Sequence, residues 1–170
     1  DDDAIRQLAV EVSTRALADR DLDLVAARSQ GNPLFAVELA RALADTEGDA
    51  AELPDTIEQI IASRFDRLDP AARRLIRTAS VLGNLFHEVI VGEMLSASNE
   101  STDVRAAFAA AADVGAIARR PGSRWAFNHA LYRETAYQGL PFTRRRELHR
   151  LAAEVIEARA LDTAAVAPVL

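Results

Sequence analysis

Residues 116–128 read AIARRPGSRWAFN, and this stretch decides the fold because it interrupts a chain that otherwise repeats with helical period. Ile117, Trp125 and Phe127 are strand formers at alternating positions, and Pro121, Gly122 and Ser123 supply turn chemistry between two short extended runs. One β-hairpin is therefore expected. Several helices followed by a single hairpin is the order of a winged helix, with the hairpin as its wing.

Upstream of the hairpin, Ile57, Ile60, Ile61, Phe65 and Leu68 line one face of a helix that Asp55 and Glu58 start in the manner of a capping box. Asp69 and Pro70 open the next helix, whose stripe is Ala72, Leu75, Ile76 and Ala79 and whose stop is Gly83. A short helix is expected from about His87 to Leu95. Ser101 or Thr102 then caps a helix carrying Val104, Ala107, Phe108 and Ala111, ended by Gly115. Downstream, Asn128 is placed to cap a helix through Tyr137. A last helix from about Thr143 carries Leu148, Leu151, Ala152, Val155 and Ile156.

The first 49 residues form a separate helical segment, bounded by the polar stretch DTEGDAAELP. Ile5, Leu8, Ala9, Val12 and Ala16 keep the spacing of one buried face, and DRDLD reads as a break. A second helical piece then runs to Gly31. Gly31, Asn32 and Pro33 specify a sharp turn that delivers Pro33 to the first helical position. In the helix that follows, Phe35, Leu39 and Leu43 make the apolar stripe, and Glu38, Arg41 and Asp45 the polar face. The expectation is mainly α: a helical subdomain over residues 1–49, a winged helix over 50–141, and a C-terminal helix over 142–170.

Composition narrows the function. The chain has 170 residues and a net charge of −6, from 26 acids and 20 bases, a balance that argues against a general polyanion binder. No window approaches 18 apolar residues and no basic-then-apolar leader opens the sequence, so a cytoplasmic protein without a membrane span is expected. There is no cysteine, and His87, His129 and His149 are too dispersed for a local metal motif. No nucleophile stands beside a base, so no catalytic residue is assigned.

Three segments in order, GNPLFAVELARAL, LPDTIEQIIASRFDRLDPAARRLIRTASVLG and FNHALYRETAYQGLPFTRRRELHRLAAEVIE, resemble the C-terminal part of the nucleotide-switch module of STAND-type signalling ATPases. Such modules occur in large bacterial LuxR-type transcription regulators and in multidomain class III adenylate cyclases. The resemblance implies a helical lid followed by a winged helix, which in the full-length parent close over ATP or ADP with Mg. It assigns Gly31, Asn32 and Pro33 to a turn packed on the adenine, and His129, after the wing, to the neighbourhood of the β-phosphate. It also implies partners in the same parent: a P-loop domain upstream, and an effector or helical-repeat domain downstream. The phosphate-cradling pattern G-x-x-x-x-G-K-[ST] is absent, and the chain has no lysine at all, so no bound cofactor is expected for this chain alone.

Arg119, Arg120 and Arg124 on the wing, and Arg144, Arg145 and Arg146 at a helix start where the macrodipole disfavours cations, are candidate contacts to nucleotide phosphate, a partner domain or nucleic acid. For Arg144 to Arg146 the alternative is a solvated face pairing with Glu147. A DNA-binding winged helix and a purely structural interaction domain are the competing functions. Against the first, TDVRAAFAAAADVGA at the position of a recognition helix has hardly a side chain able to reach a base edge. Nucleic-acid binding is expected to be weak or absent.

Overall fold

The computed structural model describes residues 2–45, 53–97 and 103–166, with side chains described as far as residue 160. It is mainly helical, with one small antiparallel sheet, as the pattern of apolar residues requires. Contacts divide it into two compact units, Asp1–Arg64 and Phe65–Leu170. The expected boundary near residue 50 falls outside the described residues, and Leu53 and Ile60 pack in the core of the first unit.

In the first unit, α1 (Asp2–Val12), α2 (Asp19–Ser29) and α3 (Pro33–Asp45) pack pairwise against one another. Their core is Ile5, Ala9, Val25, Ala26, Ala36, Leu39, Ala40 and Leu43. The expected buried face of the first helix is too long, because α1 ends at Val12 and Ala16 is exposed. Ser13 turns its hydroxyl back onto the Ala9 carbonyl at 2.6 Å. Arg15, beyond the end of α1, donates to the carbonyls of Leu43 and Ala44 at 2.8 and 3.0 Å, satisfying the open C-terminus of α3. DRDLD is likewise a helix start rather than a break. Asp19 and Asp21 lie in the first turn of α2, where the macrodipole favours carboxylates.

Helix α4 (Ile57–Asp66) begins one residue later than the Asp55 and Glu58 reading implies. Thr56 accepts the Gln59 amide, and the Gln59 side chain accepts the amides of Asp55 and Thr56, so the capping box belongs to Thr56 and Gln59. Glu38 is the larger departure. Expected on a polar face, it has no solvent exposure, and Arg64 Nη1 donates to both of its carboxylate oxygens at 2.9 and 2.8 Å. Arg41 adds a cation at 3.5 Å. A carboxylate at a helical position without exposure needs such partners, since an unpaired buried charge is costly.

The second unit runs α5 (Pro70–Ser80), β1 (Leu85–His87), α6 (Glu88–Ala97), α7 (Val104–Asp113), β2 (Ile117–Arg120), β3 (Arg124–Phe127), α8 (Ala130–Gln138) and α9 (Phe142–Val166). The strands are ordered β1-β3-β2, all antiparallel, which is the order of elements and strands of a winged helix. Helix α5 packs on α6, α7 and α8, and α6 packs on α9. Phe86, Phe108, Trp125 and Phe127 join sheet to helix, with Phe108 stacked on Trp125 at 4.8 Å between centroids.

Several sequence expectations fall into place here and others shift by a residue or two. Asp69 caps α5 by accepting from Ala71 and Ala72 at 2.8 and 3.0 Å, with Pro70 in the first turn. His87 belongs to β1, not to the following helix. Ser101 and Thr102 lie outside the described residues, and the cap of α7 is Asp103, which accepts from Ala106 at 3.0 Å. Along α9, Leu148 and Ala152 are buried, whereas Ile156 is 46% exposed.

The Glu38–Arg64 pair yields a stability prediction. Glu38→Ala strands Arg64 and is expected to destabilise the first unit by about 3–5 kcal/mol, while Glu38→Leu combined with Arg64→Met restores most of that loss. Chemical denaturation, with amide exchange over residues 2–64 locating the effect, is the measurement. A loss under about 1 kcal/mol in the single variant would contradict the role given to the pair.

Candidate functional site

The turn before α3 is built from two successive left-handed residues, Gln30 at φ 48° and Gly31 at φ 80°. Gln30 ends α2, and the Asn32 amide donates back to the Ser29 carbonyl at 2.8 Å. A side chain at position 31 would find open space, but its backbone would be strained in that conformation. Glycine is needed here for dihedral angle rather than for room.

Asn32 then performs the cap. Its Oδ1 accepts the amides of Leu34 and Phe35 at 3.0 and 3.3 Å, and its carbonyl accepts the Ala36 amide. Pro33 has no amide to offer. The first four helical positions of α3 therefore contain no uncommitted N–H, and this helix start is not a ready phosphate cradle. What it presents outward is the exposed, apolar ring of Pro33.

At the second candidate position the sequence reading is off by one residue. Asn128 does not cap α8. Its Nδ2 donates to the Gly115 carbonyl at 2.7 Å and its amide to Ala116, which binds the end of the wing to the end of α7. His129 is the cap, with Nδ1 accepting the Leu131 amide at 3.1 Å. That bond assigns the ring tautomer: with Nδ1 as acceptor, the neutral imidazole carries its proton on Nε2. His129 is exposed. The turn at Gly31 to Pro33 belongs to the first unit and His129 to the second.

The six candidate arginines separate by environment. Arg144 pairs with Glu147 at 2.7 Å, the solvated pairing expected as the alternative. Arg145 explains the cations at the start of α9: its guanidinium donates to the carbonyls of Gln138 and Leu140, both at 2.9 Å, and lies 4.7 Å from the Tyr137 ring centroid. It sits at the N-terminus of one helix in order to satisfy the C-terminus of another. Arg146 is exposed. On the wing, Arg119 and Arg120 are exposed and Arg124 donates through Nε to the Pro121 carbonyl at 3.0 Å.

His149 meets the Tyr137 hydroxyl at 3.2 Å, an arrangement of helix-surface side chains. A cleft of about 470 Å³ runs between α6 and the wing, lined by Glu88, Val89, Gly92, Glu93, Arg119 and Ser123 among others. Both of its carboxylates are engaged, Glu88 by the Trp125 indole at 3.1 Å and Glu93 by two nitrogens of Arg159. Among the described residues no group of three His, Asp or Glu is placed to hold a metal ion, and no helix is long and apolar enough to cross a membrane. Comparison with protein-family models, with curated proteins and with solved structures gives no match.

Proposed function

We propose that this chain is the lid and winged-helix part of an ATP- or ADP-switched bacterial signalling protein, a regulatory module without catalysis of its own. The observation that carries the reading is the α3 turn. Its amides are consumed internally by Asn32 while the Pro33 ring stays exposed, so the turn offers a base-stacking face and withholds phosphate donors. Separately, in the second unit, His129 is a fixed-tautomer donor through Nε2, presented at the start of a helix.

In this reading the effector is a transcription regulator or an adenylate cyclase carried by the same cytoplasmic parent, and a P-loop domain upstream supplies the phosphate cradle. Bound nucleotide shifts the parent between states only as far as it contacts them differently. The DNA-reading alternative is disfavoured by α7, whose exposed residues include Arg105, Ala106, Ala109 and Asp113. Arg105 alone among these can reach a base edge with hydrogen-bond donors.

Two outcomes test the proposal. Purified chain in a steady-state phosphate-release assay is expected to show no ATP turnover above buffer, and protein-dependent turnover that survives further purification would refute a non-catalytic module. In the full-length parent, removing the His129 donor is expected to cost the closed state about 1.5–3 kcal/mol, a shift towards the open state of roughly ten- to 150-fold. Because His129 also caps α8, the informative variant is His129→Ser, which retains a capping oxygen. It should release ADP faster and raise basal output, whereas Pro33→Ala should weaken nucleotide binding with a smaller change in basal output. Wild-type ADP retention and basal output in a folded His129→Ser parent would leave His129 as a cap and nothing more.

A further inference from the structure

The register of the sheet places three nitrogen-bearing side chains in one row. His87 on β1 stands opposite Arg124 on β3, and Arg124 stands opposite Arg120 on β2. Directly opposed residues of antiparallel strands share a face, with Cβ atoms about 4.5–5.5 Å apart. Trp125 and Phe127 face the core from alternate positions of β3, so this row lies on the outward side. Like charges directly opposed destabilise a sheet, and a hairpin of four-residue strands has little stability to spare.

Among the described residues no carboxylate relieves that repulsion. Arg144, Arg150 and Arg159 each meet a glutamate, yet among the described residues no carboxylate forms an ion pair with Arg119, Arg120 or Arg124. The neighbouring acid, Glu88, accepts the Trp125 indole instead. Arg124 is held by its Nε bond to Pro121, which leaves the two terminal nitrogens of a positioned guanidinium as donors.

We infer that the outward face of the wing, the row His87, Arg124 and Arg120, binds adjacent phosphates of a nucleic-acid strand without reading its sequence. Guanidinium groups match phosphate oxygens in both charge and fork geometry. Two strand spacings give the row a length of about 10 Å, more than a single phosphate spans, so a chain of phosphates fills it better than an isolated anion. Sequence independence follows from α7, which brings few base-reading side chains. The net charge of −6 confines attraction to this local patch, so affinity is weak and salt-dependent. The inference goes beyond the nucleotide switch and uses neither Pro33 nor His129.

The test is fluorescence anisotropy of a short labelled random-sequence duplex titrated with the chain over a range of monovalent salt. Each phosphate contact contributes a slope of about 0.9 in log K against log salt. Arg120→Ala with Arg124→Ala is expected to lower the slope by about 1–2, and Arg120→Lys with Arg124→Lys to preserve it. Circular dichroism checks the hairpin, and Arg120→Glu, altering one exposed side chain, is the second variant should the double alanine change unfold it. It too should lower the slope. An unchanged slope in the folded variants overturns the inference. Tripolyphosphate binding as tightly as the duplex overturns the nucleic-acid strand and makes a free polyphosphate the ligand.

Discussion

A carboxylate without solvent exposure constrains the whole first unit. Glu38 lies on α3, the helix that packs on both α1 and α2, and its charge is matched by Arg64 from α4 with Arg41 beside it. An ion pair of this kind is weak evidence for net stability, because desolvation offsets much of its Coulombic gain. Its effect is on geometry. Any rotation of α3 that moved Glu38 away from Arg64 would leave two charges poorly solvated, so the pair fixes which face of α3 looks inward. The Gly31 to Pro33 turn is the start of that same helix, and its presentation depends on the same constraint.

Arginine does a second kind of work throughout the chain. Arg15 donates to the end of α3, Arg73 to the carbonyls of Asp66 and Leu68 at the end of α4, Arg133 to Ser80 at the end of α5, and Arg145 to the end of α8. Helix C-termini leave carbonyls without intrahelical partners, and a forked cation answers both their lone pairs and the dipole. Short connections between helices are possible here because side chains from elsewhere in the chain finish the helix ends. Against that background the wing arginines stand apart, since their charge is not consumed in the same way.

The two candidate positions, the α3 turn and the start of α8, differ in what their capping roles leave over. At the α3 turn the cap consumes the amides and leaves an apolar ring. At the start of α8 the cap consumes Nδ1 of His129 and leaves Nε2. At the α3 turn capping and outward presentation fall to neighbouring residues, Asn32 and Pro33, whereas at the start of α8 His129 does both, so a substitution there tests structure and binding together. That is why the cap-retaining replacement at position 129 carries more information than alanine.

What the sequence by itself determined is local. The hairpin at 117–127, the Asp69–Pro70 helix start, the helical stripes and the turn at Gly31 all rest on interactions within a few residues, and periodicity and turn chemistry report those directly. Cap positions were legible to within a residue or two, because Asp55, Thr56, Asn128 and His129 are all able to cap and only the backbone path selects among them. Strand β1 was not legible, since three residues are too few to display an alternation and Leu85 to His87 become a strand only by pairing with β3. Nor was the burial of Glu38 or the task of Arg145: in each case the partner lies on another helix, Arg64 for one and the end of α8 for the other. Charge patterning along one helix cannot reveal them, because whether a charged side chain meets water or a counter-charge is settled by the packing of helices against each other.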